Sequence, residues 1–263
     1  MANTIDVYGD ESTFVNLVER DILEYVDDVI EDIGEQAFRY CTSLTNVNLS
    51  AATHIGTNAF ANCSSLTNVI LPNATSIGTS AFASCSSLAN ISLPKATTIE
   101  ASAFRYCGSL TTISLPVATT IGNSAFENCA ALTNANMPVA SYIGMQAFSY
   151  CRSLTNVSLP MVQKIGQNAF QSCYALTTIS LPLLSSFDIN VFISCTSLES
   201  VFLLSTSVCT LPNRSVFNGT PMSVSTYLGH FGSIYVPSSL VSSYKTATNW
   251  TYWADRITAY TGE

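Results

Sequence analysis

Nine cysteines are the residues of this 263-residue chain with the strongest latent chemistry. A thiolate is both a nucleophile and a metal ligand. Cys41, Cys63, Cys85, Cys107, Cys129, Cys151, Cys173 and Cys195 recur every 22 residues, and Cys209 stands outside the series. Structural zinc sites group their cysteines two to four residues apart, and the sequence contains no C-x-x-C. In stacked coils, equivalent cysteines would lie about 5 Å apart, within disulfide reach. Cysteine is also among the most buried residue types and packs as a small hydrophobe. The expectation is therefore a ladder of buried thiols. Cys209 is the one best placed to react, although burial is the expectation for it too.

The remaining chemical types are sparse. His54 shares its column with Ser76, Thr98, Thr120, Tyr142 and Lys164, which marks a variable surface position, and His230 lies in the loop segment LGHFGS. Neither has a carboxylate cluster nearby, and no G-x-S-x-G occurs, so no acid–base or nucleophilic constellation is expected. Paired carboxylates of the kind that hydrolyse glycosides are missing from the repeats. The reading is a protein that is not an enzyme and needs no metal or cofactor. Glycines recurring after isoleucine read as turn positions.

Two sets of residues could bind. The column Asn46, Asn68, Asn90, Thr112, Asn134, Asn156, Thr178 carries amides and hydroxyls without a charge, as does its neighbour Asn48, Ile70, Ser92, Ser114, Asn136, Ser158, Ser180, Phe202. Such a face could bond sugar hydroxyls or a peptide backbone. It could equally be a ladder whose side chains bond one another along the stack. A second set is irregular: Tyr40, Tyr106 and Tyr150 with Arg39, Arg105 and Arg152, residue types that anchor interfaces.

The elements that must position these residues follow from the repeat. Phe38, Phe60, Phe82, Phe104, Phe126, Phe148, Phe170 and Phe192 hold the same 22-residue spacing as the cysteines, and so does the leucine column from Leu44 to Leu198. The unit reads I-G-x-x-A-F-x-x-C-x-S-L-T-x-V-x-L-P-x-A-T-x. Within it, LTTISL (Leu110–Leu115) alternates as a short strand with Ile113 and Leu115 inward and Thr112 and Ser114 outward. Proline closes the strand in six copies. The A-F-x-x-C piece predicts a helical turn with Phe and Cys on one face. One copy cannot bury Ile, Phe, Cys and Leu alone, but stacked copies can. The expected fold is an α/β repeat solenoid, a right-handed superhelix of eight 22-residue repeats. It should have one parallel sheet of eight rungs, about 40 Å long, on one face and short helical turns on the other.

The pattern I-G-x-x-A-F-x-x-C-x-S-L resembles the BspA-like, or treponemal-type, leucine-rich repeat family of bacterial surface antigens, over residues 33 to about 204. The C-terminal segment IYVPSSLVSSYKTATNWTYWADRI is similar to the closing segment of gut-bacterial and prophage members. The chain departs from ordinary leucine-rich repeats in lacking asparagine after the strand. That column reads Ala52, Ala74, Ala96, Ala118, Ala140, Val162 and Leu184, and the hydroxyls of Thr53, Thr75, Thr97, Thr119 and Ser141 are expected to bond the backbone instead.

Charge is uneven. Residues 1–36 hold eleven acidic side chains against Arg20, and the rest holds six acidic against eight basic. A nearly neutral body excludes a nucleic-acid partner, which would need Lys and Arg for the phosphates. With no run of 18 apolar residues, no membrane insertion is expected. The start, MANTIDVYGDESTF, lacks the basic and apolar regions of a secretory signal. Cell surface or secretion is what the resemblance implies, with a phage particle or the cytoplasm as alternatives.

Three regions are expected. Residues 1–32 form an N-terminal cap, with a short helix N-capped by Asp10 or Ser12 and a degenerate strand around Ile22–Val26. Residues 33–208 form the repeats, and residues 209–263 form a C-terminal cap with a strand at SIYVP and short helices. A rigid extended surface favours binding over catalysis. The resemblance implies adhesion to, or recognition of, a protein or glycan; the oligomeric state is left open, with a monomer favoured. The alternative is a structural component of a prophage-derived tail or other assembly.

Overall fold

The computed structural model describes residues 4–5, 31–223 and 232–262. The N-terminal helix, its capping residue, the strand around Ile22–Val26 and His230 lie outside the described residues. The described chain is a stack of parallel coils, as the repeat requires. The Phe38, Cys41, Leu44 and Ile55 columns are buried along its whole length. Successive phenylalanine rings from Phe38 to Phe192 stack face to face, with centroids 5.0–5.7 Å apart. Burying each ring contributes roughly 1.5–3 kcal/mol, and only the next coil can supply the cover.

Each repeat contributes one three-residue strand: β1 (Asn46–Asn48), β2 (Asn68–Ile70), β3 (Asn90–Ser92), β4 (Thr112–Ser114), β5 (Asn134–Asn136), β6 (Asn156–Ser158), β7 (Thr178–Ser180) and β8 (Ser200–Phe202). In β1–β5 and β7 the middle residue is buried and its neighbours face solvent, as the alternation predicts. The ladder is not one continuous sheet. Strands β1–β3 form one sheet, β4–β6 a second and β7–β8 the start of a third. At the second break the inward Val157 is only half-buried. A further sheet was not legible in the sequence: two-residue strands such as His54–Ile55, Thr120–Ile121 and Lys164–Ile165 pair in parallel along the stack.

The A-F-x-x-C segments are chained turns and not helix. Two non-glycine residues in every repeat take the left-handed conformation, for example Ser102 and Tyr106 with φ of 57° and 63°. The alternation sends every second amide along the stack. Ser102 N, Phe104 N and Tyr106 N donate to Asn123 O, Ala125 O and Glu127 O of the next coil, each at 2.8 Å, while Arg105 N and Cys107 N close local turns on Ser102 O and Phe104 O. A helix would spend all these donors within its own coil. The left-handed pairs leave half of them to join coils.

The glycines after isoleucine open turns, as expected: Gly78 O and Gly122 O accept from Ala81 N and Ala125 N at 3.1 and 3.3 Å, and the same positions carry a second constraint. A Cβ at Gly122 would stand 2.5 Å from Glu100 C and 2.7 Å from Ala101 N. They are points where adjacent backbones touch.

The C-terminal residues extend the ladder. Strand β9 (Ser233–Pro237) pairs in parallel with β8, and β10 (Ile257–Tyr260) pairs with β9. Between them runs helix α1 (Val241–Thr246), flanked by short 3-10 turns. Phe217 continues the phenylalanine stack 5.9 Å from Phe192, and Trp253 closes on its edge. Cys209 N donates to Tyr244 Oη (2.9 Å) and Trp250 Nε1 donates to Cys209 O (2.7 Å).

Candidate functional site

The cysteines are structural. All nine are buried and unpaired by disulfides. From Cys63 to Cys195, each Sγ–H of the series that the structure pairs donates to the phenylalanine carbonyl one coil back, as Cys107 does to Phe82 O at 3.1 Å. Burial pushes the Cys107, Cys129 and Cys173 thiols well above their ordinary range, and Cys209 up to about 12. Among the described residues, no group of three His, Cys, Asp or Glu side chains is placed to hold a metal ion.

The hydroxyl column bonds the backbone as expected: Thr75 Oγ1 donates to Thr53 O and Thr97 Oγ1 to Thr75 O, both at 3.1 Å. A second column does the same and was missed in the sequence, with Thr67, Thr111, Thr133 and Thr155 each donating to the residue 22 positions earlier. Thr155 and Thr177 of this column edge the strand face.

The outward strand residues converge. Thr112, Asn134, Asn156 and Thr178 lie side by side across β4–β7 and, with Ser114, Asn136, Ser158 and Ser180, line an open trough of about 640 Å³. Asn68 and Asn90 sit in a second, smaller hollow of about 290 Å³ that also presents Ile70. Asn46 is exposed on β1, where its amide donates to Thr45 Oγ1 (3.0 Å); Asn156 makes the same bond to Thr155 Oγ1 (3.2 Å). These bonds run within a coil, engage the amide nitrogens, and stiffen the amides against rotation. No charged residue lies in either outward column from β1 to β9.

Aromatic residues close the C-terminal end of this face. Phe202, in the rung after Ser180, stacks on Tyr235 at 4.6 Å with planes 10° apart, and Tyr260 meets it edge-on at 5.7 Å. The sequence hides this group, because Tyr235 joins the column from outside the 22-residue period, and Tyr260 reaches it from two residues along the next strand. Beside the strand face runs a ridge of exposed aliphatics following the prolines: Val117, Val139, Met161 and Leu183.

The arginine–tyrosine set occupies the chained turns. Tyr40 and Tyr106 are exposed, while Tyr150 is half-buried and its hydroxyl accepts from Gln171 Nε2. Arg152 is exposed, while Arg39 and Arg105 are engaged by the protein's own groups. The Arg39 guanidinium lies 4.8 Å from the Tyr40 ring and donates to Gln36 Oε1. Arg105 lies 4.6 Å from the Tyr106 ring and pairs with the buried Glu127 carboxylate at 2.9 Å. The two pairs lie three repeats apart, with two coils between them, so they do not form one site.

The sequence matches the family model for the BspA type leucine rich repeat region, with six copies, over residues 21–133 and 119–236. Among solved structures, the leucine rich repeat protein of T. pallidum is 34% identical, covers 56% of this chain and 72% of its own, and superposes with a TM-score of 0.52. A leucine rich cell surface protein of Faecalibacterium prausnitzii is 20% identical over 89% of this chain and 74% of its own (TM-score 0.42). A leucine-rich repeat protein of Bacteroides ovatus is 21% identical over 89% and 82% (TM-score 0.36). The search of curated proteins returned no match.

Proposed function

Because this chain belongs to the BspA-type leucine-rich repeat family, whose solenoids are interaction scaffolds, we propose that it is a non-enzymatic recognition protein. It serves adhesion or recognition at a bacterial surface by presenting the trough across β4–β7 to a protein or glycan. The observation that carries this reading is the convergence of Thr112, Asn134, Asn156 and Thr178 on one uncharged hollow set on a ladder of rigid coils. A preorganised surface binds without the entropic cost of ordering its own loops. The bonds of the Thr133 and Thr155 hydroxyls to the preceding coil, and that of the Asn156 amide to Thr155 within its own coil, support that rigidity.

The test compares the two candidate surfaces on arrays of glycans and extracellular proteins. Ser158→Trp plugs the trough from an outward position and should abolish binding. Tyr106→Ala strips the turn ridge and should leave it unchanged. The reverse pattern would move the function to the arginine–tyrosine ridge.

A further inference from the structure

Resting on the trough as the binding surface, the geometry points to an uncharged oligosaccharide as its ligand, with the Phe202 ring as the platform against which one pyranose packs. A sugar presents two kinds of surface. Its hydroxyls donate and accept within the ring plane, and its axial C–H bonds carry partial positive charge above and below that plane. The strand face answers both.

Asn134 and Asn156 offer an acceptor and donors on a single planar group, the complement of adjacent hydroxyls, and Thr112 and Thr178 extend the pattern one coil on either side. The coils repeat at about 5 Å, close to the length of one sugar ring, so successive coils meet successive residues of a chain laid along the stack. The columns contain no charge, so a charged glycan would lose hydration without gaining a partner. An extended peptide would need backbone groups to pair with, and within β4–β6 and β7–β8 the strand backbones already pair with the neighbouring coils.

The platform supplies what a purely polar trough lacks. Phe202 is stacked on Tyr235 on one side. Its register partner on the other is Ser180, whose side chain is too short to cover a ring. The electron-rich face of Phe202 therefore looks back along the trough. Tyr260 buttresses its edge and fixes its orientation. Phe202, Tyr235 and Tyr260 are all partly exposed.

The experiment uses the full chain on an array of neutral hexose and N-acetylhexosamine oligomers, matched sialylated and sulfated glycans, and unmodified peptides. The expected result is retention of at least one neutral oligomer, with affinity lowered tenfold or more both by Ser158→Trp and by Phe202→Leu, which keeps apolar bulk but removes the ring face. Should Phe202→Leu fail to fold, Ser180→Arg lays a guanidinium over the same ring from an outward position and must produce the same loss. Failure to retain any neutral oligomer overturns the inference, and so does a neutral oligomer whose affinity ignores Ser180→Arg. Peptides or charged glycans that bind and are lost on Ser158→Trp also overturn it while leaving the trough as the binding surface. A ligand indifferent to Ser158→Trp overturns the trough itself.

Discussion

Replacing Gly122 by alanine adds one methyl group at a point where two coils touch. The new Cβ would meet Glu100 C at 2.5 Å, and Ala101 N and Glu100 O at 2.7 Å. Ordinary carbon contacts settle at about 3.5–4.0 Å, so the fourth and fifth coils must part locally by about 1 Å. The contacts opened include the Phe104–Phe126 stack at 5.3 Å and the amide bond from Gly122 N to Ile99 O at 2.9 Å. A gap of that size forfeits a quarter to a half of each affected contact, and overpacking of this kind costs about 1–3 kcal/mol.

Two copies already carry a side chain in this column, and they show what makes it tolerable. Glu100 Oε2 accepts from Thr79 N and Thr79 Oγ1, both at 2.8 Å, and Asp188 Oδ1 accepts from Ile189 N at 2.7 Å. Alanine brings the bulk without the bond. Gly108 is the control, because its Cβ would meet nothing within 4 Å, and alanine there should be neutral or stabilise by about 0.4–1 kcal/mol through the unfolded chain. Urea unfolding followed by far-UV circular dichroism should place Gly122→Ala below the parent and Gly108→Ala at or above it. Equal midpoints for the two variants would refute the close-approach assignment.

Phe126→Ala should cost about 3–5 kcal/mol, since its ring is fully buried between Phe104 and Phe148, whereas Asn134→Ser on the exposed strand face should fall within about 0.5 kcal/mol; calorimetric melting temperatures that coincide would contradict the column assignment. Alkaline pH should destabilise the fold. The thiols of Cys107, Cys129, Cys151, Cys173 and Cys209 are held protonated by burial, while in the unfolded chain they ionise near 8.5. Their contribution is complete below that pH and declines above it by about 1.4 kcal/mol per pH unit per thiol. Denaturation midpoints measured from pH 7 to 10 should fall above 8.5, and a flat or rising profile would contradict the burial.

The inward columns were legible because stacking forces one residue type to recur wherever a coil must be covered by the next. Phe, Cys and Leu never miss their spacing, so Phe104 and Cys107 could be placed in the core from the sequence alone. The chained turns were not legible. Left-handed positions usually announce themselves by glycine, but here Ser102, Tyr106, Asn128 and Gln146 fill them, and A-F-x-x-C spacing fits a helical turn equally well. The glycines were legible as turn openers but not as contact points: a turn and a close approach both suit the smallest residue, and only the neighbouring backbone shows that both apply here. The two-residue strands are too short for any alternation to show. In the candidate site, the asparagine and threonine columns were visible as repeats. The Phe202–Tyr235–Tyr260 group was not, because β9 and β10 join the ladder after insertions that break the period.

The central claim is that the invariant letters of every coil face inward and leave the uncharged strand face as the surface that meets a partner. Alkylation of the native protein with iodoacetamide at neutral pH, read by intact mass, tests it most directly. The account predicts no adduct on any of the nine thiols until the protein unfolds, and then labelling of all of them. Prompt stoichiometric labelling of Cys107 or Cys129 in the folded protein would contradict it.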